Sequence, residues 1–124
     1  MNDRHARLLF GSGALFNFVV GSSFLLASRL VGSLAGMEPP PAGDIFERLA
    51  GFAIVLFGWM YWMVSRDPVT YRPFILAGII GKLGVVAIAF TGLAAGITNL
   101  PLPLLTLVDL AYVVLFWRYL VVTQ

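Results

Sequence analysis

Four apolar segments, each about as long as a membrane is thick, constrain the fold of this chain more than any other feature of its sequence. A helix needs about 20 apolar residues to cross the hydrocarbon layer. The sequence predicts such helices over residues 8–28, 45–65, 73–97 and 102–122. Only 11% of the residues are charged, against about 25% in soluble domains. We therefore expect a single all-α domain, a four-helix transmembrane bundle that runs up-down-up-down.

The first apolar segment and the connection after it need separate interpretation. The segment follows Arg7 like the apolar region of a signal peptide, but it is longer than the roughly 7–15 residues of a cleaved one. We interpret it as a retained membrane helix. The prolines Pro39–Pro41 then predict a loop, and Asp44 with Glu47 predicts a capping box where the second helix begins.

Arginines near the ends of the predicted spans indicate the orientation of the bundle, because four spans place both chain ends on one side. The side of the chain ends carries Arg4, Arg7, Arg66, Arg72 and Arg118. The other side carries Arg29 and Arg48. The positive-inside rule then predicts both termini in the cytoplasm, and we expect a multi-pass protein of the bacterial inner membrane.

Three polar residues lie deep inside apolar segments: Asn17, Lys82 and Asp109. Counted from the arginines at 1.5 Å per residue, each lies about 14–15 Å into a hydrocarbon core of about 30 Å. An unpaired charge at the centre of a membrane helix costs roughly 2.5–3.5 kcal/mol. The sequence therefore predicts a polar layer at mid-depth, in which Lys82 and Asp109 form a mutual pair.

This polar layer has three interpretations, which the sequence leaves open. It is a structural ion pair that fixes helix register, or a functional site, or a place where one charge meets a partner in another subunit or protein. As a functional site, it holds either a protonatable carboxylate in a transport path or the polar end of a ligand cavity.

Glycines and aromatic residues predict where helices pack and where they meet the membrane surface. Small residues let helix backbones approach closely, and the candidates are Gly13, Gly21, Gly51, Gly58, Gly78, Gly92 and Gly96. For Gly92 and Gly96, four apart, we favour packing within the bundle over dimerisation. Amphipathic rings prefer the headgroup level, and the predicted interface anchors are Trp59, Tyr61, Trp62, Trp117 and Tyr119.

Residue types that carry chemistry are scarce in this chain. It has no cysteine and one histidine, His5, which excludes disulfides, thiolate metal sites and cysteine nucleophiles. No nucleophile–base set or phosphate loop is visible, so we predict a protein that is not an enzyme and has no cofactor or metal. No basic and aromatic patch for nucleic acid is visible either.

Four features of the sequence point to a known group of proteins: Arg7 before the first helix, the loop with Pro39–Pro41, the lead-in Arg48-Leu-Ala-Gly51 and the acidic Asp109 in the fourth helix. In these features the chain resembles the DoxX-like group of small bacterial four-helix membrane proteins. Some members of this group are associated with quinone-linked redox complexes. The resemblance therefore implies a membrane accessory subunit.

From these features we predict a small integral membrane protein that acts by binding. It would be an accessory or assembly subunit of a membrane complex, or a lipid or quinone binder. The alternative is a small proton-linked transporter that uses Asp109 and Lys82. The expected partners are the lipid bilayer and either a larger membrane complex or further copies of the chain, with no nucleic acid.

Overall fold

A computed structural model of the protein describes residues 3–34 and 45–124. Within these ranges the chain forms α1 (Asp3–Leu26), α2 (Ser28–Leu34), α3 (Ile45–Arg66), α4 (Arg72–Ala94) and α5 (Pro101–Val122). The four long helices α1, α3, α4 and α5 are each long and apolar enough to cross a membrane. The protein is an all-α bundle of four spans that run up-down-up-down, to which the seven-residue α2 is attached.

The helix ends differ from the predicted ones by a few residues. α1 begins five residues before the predicted start, because its polar first turn continues the helical hydrogen bonding outside the apolar segment. α4 was predicted to reach residue 97 but ends at Ala94. The loop with Pro39–Pro41 and the predicted cap Asp44 lie outside the described residues.

α4 ends earlier because Gly96 adopts a φ of 74°, a conformation that favours glycine. The Ile97 N–H donates to the Gly92 carbonyl at 2.8 Å, and the Gly96 N–H donates to the Leu93 carbonyl at 3.1 Å. These two bonds form a Schellman motif. The prediction that Gly96 packs on a helix face was therefore wrong, since it lies beyond the helix and a Cβ there would meet nothing within 4 Å.

α1 and α3 cross so closely that their backbones touch. A Cβ at Gly21 would lie 2.7 Å from the Val55 nitrogen, and one at Gly51 would lie 2.7 Å from the Gly21 oxygen. Further along the same crossing, a Cβ at Gly58 would lie 3.1 Å from the Cβ of Asn17. Glycine at these positions allows an approach that any larger residue would block.

α4 and α5 form the second helix pair, and Arg72 hydrogen-bonds one helix to the other at one end. Arg72 donates through Nη1 to Thr123 Oγ1 at 2.6 Å and through Nη2 to the Leu120 carbonyl at 2.8 Å. The last carbonyls of a helix have no partner within the helix and carry partial negative charge. The guanidinium therefore caps α5 and joins it to the first turn of α4.

An aromatic cluster fills the end of the bundle at which α1 and α4 begin and α3 and α5 end, which we call the terminal end. The rings of Phe10 and Phe116 lie 4.7 Å apart, those of Phe10 and Tyr119 5.3 Å, and those of Tyr61 and Phe116 5.3 Å. Tyr61 and Tyr119 are 1% and 6% exposed. Both were predicted as interface anchors, and that prediction was wrong because their rings turn inward and pack in this cluster.

The three predicted tryptophan anchors lie on the outer surface of the bundle. They are Trp59, Trp62 and Trp117, each about half exposed. Trp62 also lies under the guanidinium of Arg66, which is 5.6 Å from the ring centroid. Their positions allow the rings to contact the headgroup region.

Candidate functional site

The polar residues predicted at mid-depth come together between the four spans. Lys82 Nζ on α4 lies 2.5 Å from Asp109 Oδ1 on α5 and 3.3 Å from Asn17 Oδ1 on α1. Asn17 in turn donates through Nδ2 to the Ile54 carbonyl on α3 at 3.1 Å. Each of the four spans thus supplies one group to a connected set of hydrogen bonds, which we call the polar cluster.

Three aromatic rings surround the Lys82 ammonium. Its Nζ lies 5.4 Å from the ring centroid of Phe16, 5.3 Å from that of Tyr61 and 5.2 Å from that of Tyr112. The negative faces of aromatic rings attract a cation at this distance. The rings therefore stabilise a charge that is only 4% exposed.

Sequence reasoning missed this aromatic cage. Two signals were available: Phe16 adjoins Asn17, and Tyr112 follows Asp109 by three residues, a spacing that places both on one helix face. Tyr61 gave no signal, because an aromatic residue near a span end is as readily expected at the membrane surface. Only the rotation of α3 about its axis determines which way it points.

A cavity of about 490 Å³ lies above the polar cluster, in the half of the bundle away from the terminal end. Asn17, Lys82 and Asp109 form its floor. Its walls are apolar and come from all four spans: Val20, Phe24, Ala50, Ala53, Phe57, Val85, Ile88, Ala89, Leu102 and Leu105. Such a cavity can hold an apolar molecule with a polar group at the floor.

The cavity opens at the side of the bundle, between α3 and α4. Its lining residues Ala50 and Ala53 on α3 and Val85 and Ile88 on α4 are exposed. These residues lie on faces that a membrane span turns towards lipid. The aromatic cluster lies on the other side of the floor, so the cavity ends at the polar cluster.

Glu47 lies at the outer rim of the cavity, in the first turn of α3. Its Oε2 is buried and has no hydrogen-bond partner within residues 3–34 and 45–124. Glu47 precedes Ile54 by seven residues, so the rim and the floor are about 10 Å apart along α3. The cavity therefore has a carboxyl group at its rim and another at its floor.

The other predicted packing glycines fall at different places in the bundle. Gly13 faces the rings of Phe116 and Tyr112, and a Cβ there would lie 3.4 Å from the Phe116 ring. A Cβ at Gly78 would lie 2.5 Å from the Tyr61 ring, so this glycine makes room for that ring. Gly92 faces the methyl group of Thr98 in the following turn rather than another span.

No protein-family model, curated protein or solved structure matches the chain. The geometry of the cavity and of the polar cluster is therefore the basis for inferring a function.

Proposed function

We propose that the protein binds an amphipathic molecule of the membrane, a lipid or a quinone, in the cavity above the polar cluster. The observation that carries this proposal is the combination of apolar walls with a floor made by Asn17, Lys82 and Asp109. Ligand sites typically measure about 300–1,000 Å³ and combine apolar walls with a few placed polar groups. The cavity has both properties.

The packing of the bundle supports a binding role over a purely structural ion pair. Glycines bring α1 and α3 into backbone contact, and aromatic rings fill the terminal end. A pair that served only to fix helix register would be stable in equally close packing, because filling space with side chains gains contact energy. Instead, the chain leaves space beside Asp109, whose side chain is 15% exposed.

Mass spectrometry of the protein purified in mild detergent tests the proposal. We expect a lipid or quinone to copurify with the wild type. Ala53→Trp places a large ring in the cavity and should remove the bound molecule, whereas Ala111→Trp on an exposed face of α5 should retain it. Equal lipid or quinone content in all three proteins would contradict the proposal.

The same preparation tests the wider role. We propose that the ligand-bound protein serves as an accessory or assembly subunit of a membrane complex, in which its exposed apolar surface contacts other subunits. Copurification of a defined membrane protein with the wild type would support this role. Recovery of the chain alone, with its lipid, would restrict the function to binding.

A second candidate is a small proton-linked transporter that uses Asp109 and Lys82. The observation in its favour is the partial exposure of the Asp109 carboxylate to the cavity, where protonation would release Lys82 from its pair. Transport would also require the aromatic cluster to open. Proteoliposomes loaded with a pH-sensitive dye would show proton flux that Lys82→Met/Asp109→Leu abolishes, whereas a binding protein would show none.

A further inference from the structure

Both donor groups on the cavity floor have partners within the bundle. Lys82 Nζ donates to Asp109 Oδ1 and to Asn17 Oδ1, and the rings of the aromatic cage enclose it. Asn17 Nδ2 donates to the Ile54 carbonyl. Lys82 and Asn17 are only 4% and 6% exposed, so a ligand in the cavity has little contact with their remaining N–H groups.

The two residues of the lining that carry a hydroxyl group, Thr106 and Tyr61, are also buried. Thr106 donates through Oγ1 to the Pro103 carbonyl at 2.7 Å and is buried. Tyr61 is buried, and a Cβ at Gly78 would lie 2.8 Å from its hydroxyl oxygen. That hydroxyl is therefore placed at the contact between α3 and α4.

The floor does offer an acceptor. Asp109 Oδ1 takes the bond from Lys82, whereas Oδ2 accepts no hydrogen bond from the part of the chain that the structure describes. The carboxylate is the most exposed polar group of the floor, at 15%. A ligand that reaches the floor therefore meets a carboxylate oxygen with free lone pairs.

The charges of the cavity lining also restrict the charge that a ligand head group can carry. The Lys82–Asp109 pair is formally neutral, and Glu47 at the rim adds a formal negative charge. An anionic head group would meet two carboxylates, and the donors near it are buried. A cationic head group at Asp109 Oδ2 would share the carboxylate with the Lys82 ammonium on Oδ1, and the two positive charges would repel each other. An uncharged donor therefore fits the floor best.

We propose that the cavity selects a membrane molecule with an uncharged hydroxyl head group, which donates its hydrogen bond to Asp109 Oδ2. This inference rests on the proposed function, and it specifies the class of ligand as a lipid alcohol. Lys82 acts as a positioning residue: it holds the carboxylate in place through Oδ1 and leaves Oδ2 for the ligand.

Four probes built on a twelve-carbon chain test this selection: 1-dodecanol, dodecyl methyl ether, dodecylamine and dodecanoate. Their affinities for the wild type in nanodiscs are measured by native mass spectrometry and thermal shift. We expect dodecanol to bind about tenfold tighter than the ether, the effect of one hydrogen bond to a charged group. Equal affinities of alcohol and ether, or tighter binding of the amine or the carboxylate, would overturn the inference.

Variants and spectroscopy assign the effect to the floor. Lys82→Met/Asp109→Leu should bind alcohol and ether equally, whereas Ala111→Trp, on an exposed face of α5 away from the cavity, should keep the preference for the alcohol. Infrared difference spectra of the wild type provide a second readout that needs no variant. Dodecanol should shift a carboxylate stretching band that the ether leaves in place, and an unchanged band would count against the assignment.

The outcomes separate this inference from the proposed function. If all four probes bind equally and Ala53→Trp blocks them, the cavity binds amphipathic molecules and the selection for a hydroxyl group is refuted. If no probe binds the wild type, both the selection and the proposed function fail.

Discussion

Lys82 and Asp109 differ in exposure, 4% against 15%, although they share one hydrogen bond. The ammonium is enclosed by rings and by Asn17, whereas the carboxylate borders the cavity. The two residues therefore have different environments. Because each charge balances the other, loss of one residue should affect the protein differently from loss of both.

Removing one partner of the pair should destabilise the fold. Lys82→Met or Asp109→Leu alone leaves a buried charge without its counter-charge, which typically costs about 3–5 kcal/mol. Replacing both with apolar residues is often neutral, so the double variant should recover much of the loss. Thermal unfolding of the four proteins in one detergent forms the double-mutant cycle. Strictly additive losses would show that the two charges do not stabilise each other.

Asp67 lies in the turn between α3 and α4, outside the spans, and its hydrogen bonds lead us to expect a fold stability that depends on pH. The Thr70 hydroxyl donates to Asp67 Oδ2 at 2.6 Å and the Thr70 N–H donates to Oδ1 at 3.2 Å. These bonds to the charged form, the hydroxyl first, lower the pKa of Asp67.

The stabilisation by Asp67 is present above the ordinary pKa of an aspartate and is lost as pH falls through the lowered pKa. We expect the Tm of the wild type to exceed that of Asp67→Ala near neutral pH, and the two to converge in acid. Other carboxyl groups titrate in both proteins, so the difference in Tm isolates Asp67. A difference that stays constant down to acid pH would contradict this prediction.

Sequence could predict which residues share a depth, but not which way each side chain faces. Arginine markers and helical rise placed Asn17, Lys82 and Asp109 at one level, because depth follows from residue count. Rotation about a helix axis depends on the neighbouring helices. Tyr61 and Tyr119 were therefore expected at the surface, although the structure packs both inside.

At the scale of elements, the bundle consists of two helix pairs with different contacts. α1 and α3 meet backbone to backbone at Gly21 and Gly51, whereas Arg72 fastens the end of α4 to the end of α5. Helix existence and order were predictable from apolar length. The helix ends were less so, because a cap such as Gly96 depends on local φ values rather than on hydropathy.

Two glycine-to-alanine changes should affect the stability of the fold differently. At Gly21, a methyl group would lie 2.7 Å from the Val55 backbone nitrogen, and at Gly84 it would meet nothing within 4 Å. Forcing a methyl group into close packing typically costs about 1–3 kcal/mol. At the open position, alanine favours the helix by up to about 1 kcal/mol.

Thermal unfolding of Gly21→Ala and Gly84→Ala against the wild type provides the measurement. We expect a lower Tm for the first and an equal or higher Tm for the second. A similar fall in both would mean that the loss reflects glycine removal in general rather than the α1–α3 contact.

At the scale of the whole molecule, the two ends of the bundle are unlike. Aromatic rings fill the terminal end, whereas a cavity occupies the other half. Arg66 and Arg72 lie where α3 ends and α4 begins, on the side with the larger number of arginines. We propose that this side faces the cytoplasm of a bacterial cell.

Cysteine labelling tests this orientation, because the chain has no native cysteine. Ile97→Cys lies in the exposed turn between α4 and α5, and Gln124→Cys lies just after α5. We expect an impermeant thiol reagent added to intact cells to label position 97 and to spare position 124. Labelling of position 124 alone would reverse the proposed orientation.

If the cavity binds a membrane molecule as proposed, its end at mid-depth also restricts access to one leaflet of the bilayer. Molecules that enter between α3 and α4 come from the half of the bilayer level with those walls, and the filled terminal end separates them from the other half. Occupancy would then follow the composition of that leaflet. The same chain inserted in the opposite orientation would then bind molecules from the other leaflet, without any change in its sequence.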